Sequence, residues 1–194
     1  MATVNVLMSE EEFLALPEVQ GVDRELIRGE LRERKQSMTT RGFAHSTVMS
    51  RVVYRLEAWS SVQPAPRGVV LCGEARVRLQ ADPPTFVGVD VAYFDARTLP
   101  ENRRKARCPD GVPVVAVEIL SPTDEQEDVA DKIGLYLQAG VPLVWIVDTF
   151  FSTVTVHQTD ARPKLFNVDQ ELAAEPFLPG FRVAVADLFE GIEG

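Results

Sequence analysis

Two apolar runs, Phe86-Val87-Gly88-Val89-Asp90-Val91-Ala92-Tyr93-Phe94 and Val114-Val115-Ala116-Val117-Glu118-Ile119-Leu120, each carry one acid, and nothing in the chain restricts its fold more. Short runs this rich in β-branched and aromatic residues read as buried strands. A carboxylate inside such a strand costs several kcal/mol (~2 to 7 for a polar group left without a partner) unless it is paired, hydrogen-bonded or bound to a cation. Two of them, at Asp90 and Glu118, call for a shared explanation, and a metal site is the most economical one. The competing account places each acid at a strand end, capping backbone amides or pairing with arginine.

The rest of the chain supports a mixed α/β (α+β) class. Its 194 residues, 45% of them hydrophobic, suffice for one full core and fall short of two, so a single domain over residues 1–194 is expected. Ser9 with Glu12 forms a capping box for a short helix ending near Pro17. Arg24 to Glu33 alternates about Gly29 as a hairpin or bulged strand pair, with Leu26 and Leu31 toward the core. From Ser46 to Ser60, Val48, Met49, Val52, Val53, Leu56 and Trp59 recur at helical spacing. Strands follow at Gly68 to Leu71 and Ala75 to Leu79, and Asp82-Pro83-Pro84 turns the chain into the Asp90 strand.

A long, basic loop from about Pro100 to Pro113 is a candidate substrate-facing flap. After the Glu118 strand, Thr123-Asp124-Glu125-Gln126 reads as a second capping box, opening a helix to about Ala139 that Gly140 closes. Val129, Ile133, Tyr136 and Leu137 make its inward stripe, with Lys132 at the edge. Val141 to Val147, Thr153 to His157, Lys164 to Val168 and Phe181 to Val185 read as strands, and Asp187 to Glu190 as a closing helical turn.

Charge narrows the partners. The net charge of −9 argues against a protein whose main task is coating nucleic acid, because non-specific affinity comes from phosphate neutralisation. The charge is uneven, however: residues 1–107 are net +2 and residues 108–194 net −11. The first half can therefore present a basic surface, from Arg24, Arg28, Arg32, Arg34, Lys35, Arg41, Arg51 and Arg55, or from Arg103, Arg104, Lys105 and Arg107. Scattered solvated charge explains either cluster equally well. Cys72 and Cys108 lack zinc or disulfide spacing, and no apolar stretch reaches membrane-spanning length, so a reduced, cytoplasmic protein is expected.

If Asp90 and Glu118 converge, the chemistry follows from their type. Mg²⁺ takes oxygen ligands, usually one or two carboxylates with waters and substrate phosphate, and can activate water against a phosphoryl group. Lys132 is the candidate amine, although Asp128 four residues earlier offers it an ordinary helix ion pair. Glu25 is a candidate third carboxylate, weighed against hairpin pairing with Arg24 or Arg28. His45 could bind phosphate or act as an acid or base, weighed against a plain helix-start role. His157, Asp148 and Trp145 read as structural.

The order of these pieces resembles the Uma-two family of "putative restriction endonucleases", a bacterial branch of the PD-(D/E)XK superfamily. The likeness runs through Arg24-Glu25-Leu26-Ile27-Arg28-Gly29-Glu30-Leu31, His45, Val89-Asp90-Val91-Ala92 and Val117-Glu118-Ile119-Leu120-Ser121-Pro122. It continues through Asp131-Lys132 with Tyr136, Gly140-Val141, Val144 to Asp148, Leu178-Pro179-Gly180-Phe181 and Leu188-Phe189. The resemblance implies a restriction endonuclease-like core, a central mixed β-sheet flanked by helices. It further implies Mg²⁺- or Mn²⁺-dependent hydrolysis of nucleic-acid phosphodiesters, DNA foremost, with Asp90, Glu118 and the Ile119 carbonyl as metal ligands.

Two positions depart from the superfamily pattern: Val89 stands where proline precedes the acid, and Leu120 where the catalytic lysine lies. The family supplies the amine from the next helix, which maps to Lys132. The reading from another class is a non-catalytic binding or scaffold protein that keeps this fold, and a carboxylate enzyme acting on another phosphate ester is a third. A homodimer is the base expectation for assembly.

Overall fold

The computed structural model describes residues 7–35, 42–109, 111–122 and 124–192, with Lys35 described in its main chain only. Arg41 and Thr123, named above, lie outside the described residues. In chain order the elements are α1 (Glu10–Ala15), β1 (Val22–Ile27), β2 (Glu30–Lys35), α2 (Phe43–Ser61), β3 (Val69–Ala81) and β4 (Pro84–Phe94). After a 3₁₀ turn at Ala96–Thr98 come β5 (Val115–Leu120), α3 (Gln126–Gln138), β6 (Leu143–Asp148), β7 (Thr153–His157), β8 (Lys164–Phe166), β9 (Glu171–Ala173), β10 (Arg182–Ala184) and α4 (Val185–Phe189).

Eight strands form one mixed sheet in the order β2-β1-β4-β5-β6-β7-β8, with β3 also paired to β4; β9 and β10 form a separate hairpin. Among the described residues only β5 and β6 run parallel, as expected when a crossover helix, here α3, joins them. Each face of the sheet is apolar and covered. On one, Val91, Val117, Trp145 and Val147 pack under Val48, Val52 and Leu56 of α2 and under Leu172, Phe181 and Leu188 of the C-terminal segment. On the other, Ala92, Ala116, Val144 and Ile146 pack under Tyr136 with Val129 and Ile133 of α3. Burial on both faces is why the β4 and β5 sequences read as nearly continuous apolar runs. Among the described residues no helix is long and apolar enough to cross a membrane.

The Ser9–Glu12 capping box forms, with Ser9 N–H to Glu12 Oε2 at 2.8 Å and Glu12 N–H to Ser9 Oγ at 3.2 Å. The β1–β2 hairpin turns on Arg28 and Gly29, both at positive φ (52° and 83°), the geometry a two-residue turn between antiparallel strands requires. Several expectations need correction. Leu26 is fully buried against Phe13 and Phe86, but Leu31 opposite it is 36% exposed: β2 is the sheet's outer edge, and the six-residue α1 lies against β1, β3 and β4. The two strands expected at 68–71 and 75–79 are one, β3, with a bulge between Cys72 and Ala75. The capping box expected from Thr123 lies outside the described residues; α3 begins after Glu125, which caps it without a side-chain hydrogen bond, and the Asp124 carboxylate accepts from Ser121 N–H at 2.8 Å. The strand β9 carries no sequence signal beyond three residues.

Candidate active site

The site arises from a fork in the sheet. A strand has two edges, yet β4 has three partners. β3 occupies one edge along its length, from Val69 opposite Phe94 to Ala81 opposite Pro84. The other edge is shared: β1 meets it at Phe86, and β5 at Val91 to Tyr93. Between those contacts the backbone of residues 87–90 faces the gap where β1 and β5 diverge.

Backbone groups left without a ladder partner need another one, and here side chains provide it. Gly88 N–H donates to Glu25 Oε1 at 3.3 Å, and Lys132 Nζ donates to the Gly88 carbonyl at 3.0 Å. Ile119 N–H donates to Asp90 Oδ2 at 2.8 Å. Continuing the register of Val91 with Val117 by one step sets Asp90 across from Glu118, where cross-strand side chains lie side by side. The fork therefore explains both buried acids at once.

Glu118 is held from α3. Lys132 Nζ lies 3.3 and 3.2 Å from its two oxygens, and the Tyr136 hydroxyl donates to Oε1 at 2.5 Å. Lys132 and Tyr136 are four residues apart, so both project from one face of the helix toward the same carboxylate. Burial pushes the Glu118 carboxyl up to about 7; Lys132 pulls against that, and the neighbouring Asp90 charge adds to it. Burial works against the Lys132 ammonium too, but Glu118 and Glu25 outweigh it and hold its pKa above the ordinary lysine value. Burial and the adjacent Glu118 raise the Tyr136 phenol well above its usual range.

Every sequence-predicted site residue meets here. Lys132 does not pair with Asp128, which instead contacts Arg34 at 2.6 Å; Lys132 faces Glu118 and, at 3.5 Å, Glu25. The hairpin ion pair expected for Glu25 does not form: Arg24 goes to Glu33 and the Pro17 carbonyl, and Arg28 to Gln138. His45 is not a solvated helix-start residue. It is 5% exposed, and its Nε2 lies 3.2 Å from Asp90 Oδ1. Its position was readable, for His45 falls three residues before Val48 on the stripe that α2 buries.

Glu74 was missed. The β3 bulge puts it at positive φ (58°), and its carboxylate lies over Gly88: a Cβ added there would meet Glu74 Oε2 at 2.5 Å. The signal in the sequence was Gly73-Glu74 interrupting an otherwise apolar alternation. Asp90, Glu118, Glu25, Glu74 and Lys132 share the lining of a cleft of about 480 Å³, with Arg24, Arg32, Arg34 and Arg76 around it. Contrary to expectation, no described residue of the 100–113 loop lines this cleft. Arg51 and Arg55 are also elsewhere, paired with Glu190 and Asp187 beside α4.

The donor set suits one kind of ion. Among the described residues, no three His, Cys, Asp or Glu side chains converge as a metal cage. Two adjacent carboxylates are what Mg²⁺ or Mn²⁺ uses when waters and substrate complete its shell. The upward push of Asp90 on Glu118 is repulsion that such a cation relieves.

The mixed sheet flanked by helices is a fold shared with a solved protein. The chain is similar to "a putative nuclease belonging to DUF820 from Anabaena variabilis ATCC 29413", with a TM-score of 0.77 and 24% identity over 94% of this chain and 97% of that one. The family model described as "Uma2: Putative restriction endonuclease" matches residues 10–186, and the chain belongs to that family. No protein of curated function matches it.

Proposed function

We propose that the protein is a Mg²⁺-dependent endonuclease, Mn²⁺ serving in its place, that hydrolyses phosphodiester bonds of nucleic acid, with DNA as the first substrate to test. The observation that carries this reading is the convergence of Asp90, Glu118 and Lys132 at the β4–β5 fork. Asp90, Glu118 and the Ile119 carbonyl are the proposed ligands. Bound there, the cation would supply Lewis acidity, lowering the pKa of water and offsetting phosphoryl charge.

The chain's own groups do the rest. Lys132, kept protonated by Glu118 and Glu25, is placed to orient an attacking water or to stabilise the charge that develops on the phosphoryl oxygens. Tyr136 fixes the orientation of Glu118, and the buried His45 lies against Asp90. The absence of lysine at position 120 is answered by Lys132, whose amine reaches the second acid from the following helix. That contact favours the enzyme over the scaffold reading, which Leu120 had motivated.

The test is cleavage of labelled duplex, single-stranded and branched DNA with and without Mg²⁺, using wild type and Lys132→Met. Metal-dependent cleavage that falls at least a hundredfold in the variant supports the proposal, in line with the loss of one charge-stabilising donor. No cleavage of any of these substrates by wild type, or equal cleavage by the variant, contradicts it.

A further inference from the structure

The cleft has a basic rim that the catalytic reading does not use. In the β1–β2 register, Glu25 faces Arg32 and Asp23 faces Arg34, so these four side chains share one face of the hairpin, the face toward the cleft. Across the opening, α3 presents Asp128 and Asp131 one turn ahead of and beside Lys132. Arg34 contacts Asp128 at 2.6 Å, and Arg32 approaches Asp131 at 3.9 Å. The two ion pairs thus tie an edge strand to the helix that carries the lysine.

We propose that Arg32 and Arg34 seat the phosphodiester backbone of the nucleic-acid strand beside the acid cluster, and that Asp128 and Asp131 compete with that backbone for them. This inference rests on the proposed nuclease function.

Three observations favour it. First, the fork itself is acidic: Asp90, Glu118, Glu25 and Glu74 against Lys132 leave the cleft floor negative, so a polyanion needs compensating cations close by, and the rim arginines share the same lining. Second, all four rim side chains are substantially exposed, Arg32 and Arg34 at 47% and 52% and their partners at 58% and 39%. Exposed ion pairs of this kind are weak and readily exchanged, whereas guanidinium with a phosphate diester forms charge-assisted, bidentate bonds. Third, residues two apart on a strand stand roughly 6.5 Å from each other on one face, a separation that suits successive phosphates of one strand. The arginines at 51 and 55 meet none of these conditions, lying against α4 and outside the cleft lining.

The experiment measures binding of labelled single-stranded and duplex oligonucleotides by fluorescence anisotropy without divalent metal, across a salt series. It compares wild type with Arg32→Gln/Arg34→Gln, with Asp128→Asn/Asp131→Asn, and with a charge-matched control, Asp187→Asn/Glu190→Gln beside α4. Thermal melts confirm that each variant is folded.

The arginine double variant is expected to bind at least tenfold more weakly, with a salt-dependence slope lower by about 1 to 2 for two lost phosphate contacts. The aspartate double variant is expected to bind several-fold more tightly than the α4 control, which removes the same charge elsewhere. If wild type binds and the arginine variant matches it in affinity and slope, the inference is overturned while the nuclease reading stands. Equal affinity of the aspartate variant and the α4 control overturns the competition. If wild type binds neither oligonucleotide, the inference is overturned, and the cleavage assay decides the nuclease reading by itself.

Discussion

At the scale of single residues, the site is organised by what each buried polar group lacks. Glu118, with 13% of its side chain exposed, survives in an apolar strand because Lys132 and Tyr136 hold both its oxygens. Removing the phenol hydroxyl in Tyr136→Phe leaves Glu118 Oε1 with Lys132 alone. The expected cost is about 1 to 3 kcal/mol, the penalty for an under-satisfied buried acceptor, measured by chemical denaturation. A change under about 0.5 kcal/mol would show that the hydrogen bond is unimportant.

The raised pKa of Glu118 makes a second prediction. Its folded value, about 7, lies above the ordinary glutamate value of 4.5. The stability linked to the protonated form is thus fully present below pH 4.5 and is lost as pH rises through about 7. Without metal, wild type should lose stability relative to Glu118→Gln between pH 5 and pH 8. A difference between the two proteins that stays constant over that range would refute this assignment.

Among elements, the fork decides what the strands can do, and it was only half legible. The acids at 90 and 118 stood out because they break apolar runs, and His45 and Lys132 fell on or beside helical stripes whose period is written in the sequence. What could not be read was pairing. That β1 and β5 share one edge of β4 is a tertiary fact, and it is what turns Glu25 from a hairpin residue into a neighbour of Lys132. Likewise the β3 bulge appeared only as a gap between two expected strands, so Glu74 went unnoticed.

The entry to β3 is tight as well. A Cβ at Gly68 would sit 2.1 Å from the Phe94 carbonyl oxygen and 2.5 Å from the Tyr93 hydroxyl. Because the first obstacle is backbone, it cannot swing aside. Gly68→Ala should destabilise by about 1 to 3 kcal/mol in denaturant titration, as overpacking does. A neutral result would contradict the close approach of Gly68 to the Phe94 backbone.

At the scale of the whole molecule, the sheet separates two tasks. Its α2 face is a continuous apolar core with the C-terminal hairpin and α4 sealing it. Its α3 face begins as core around Tyr136 and opens into the acidic cleft at the β4–β5 fork. The basic half of the chain supplies the hairpin wall of that cleft and the acidic half supplies α3, so the uneven charge seen along the sequence becomes an electrostatic junction across one opening.

The central claim is that Asp90 and Glu118 form one divalent-cation site, and titration calorimetry of Mg²⁺ and Mn²⁺ into wild type and Asp90→Ala at pH 7.5 tests it most directly. Saturable binding is expected in wild type, lost or weakened at least tenfold in the variant. Equal binding by the two proteins, or none by wild type, would contradict it.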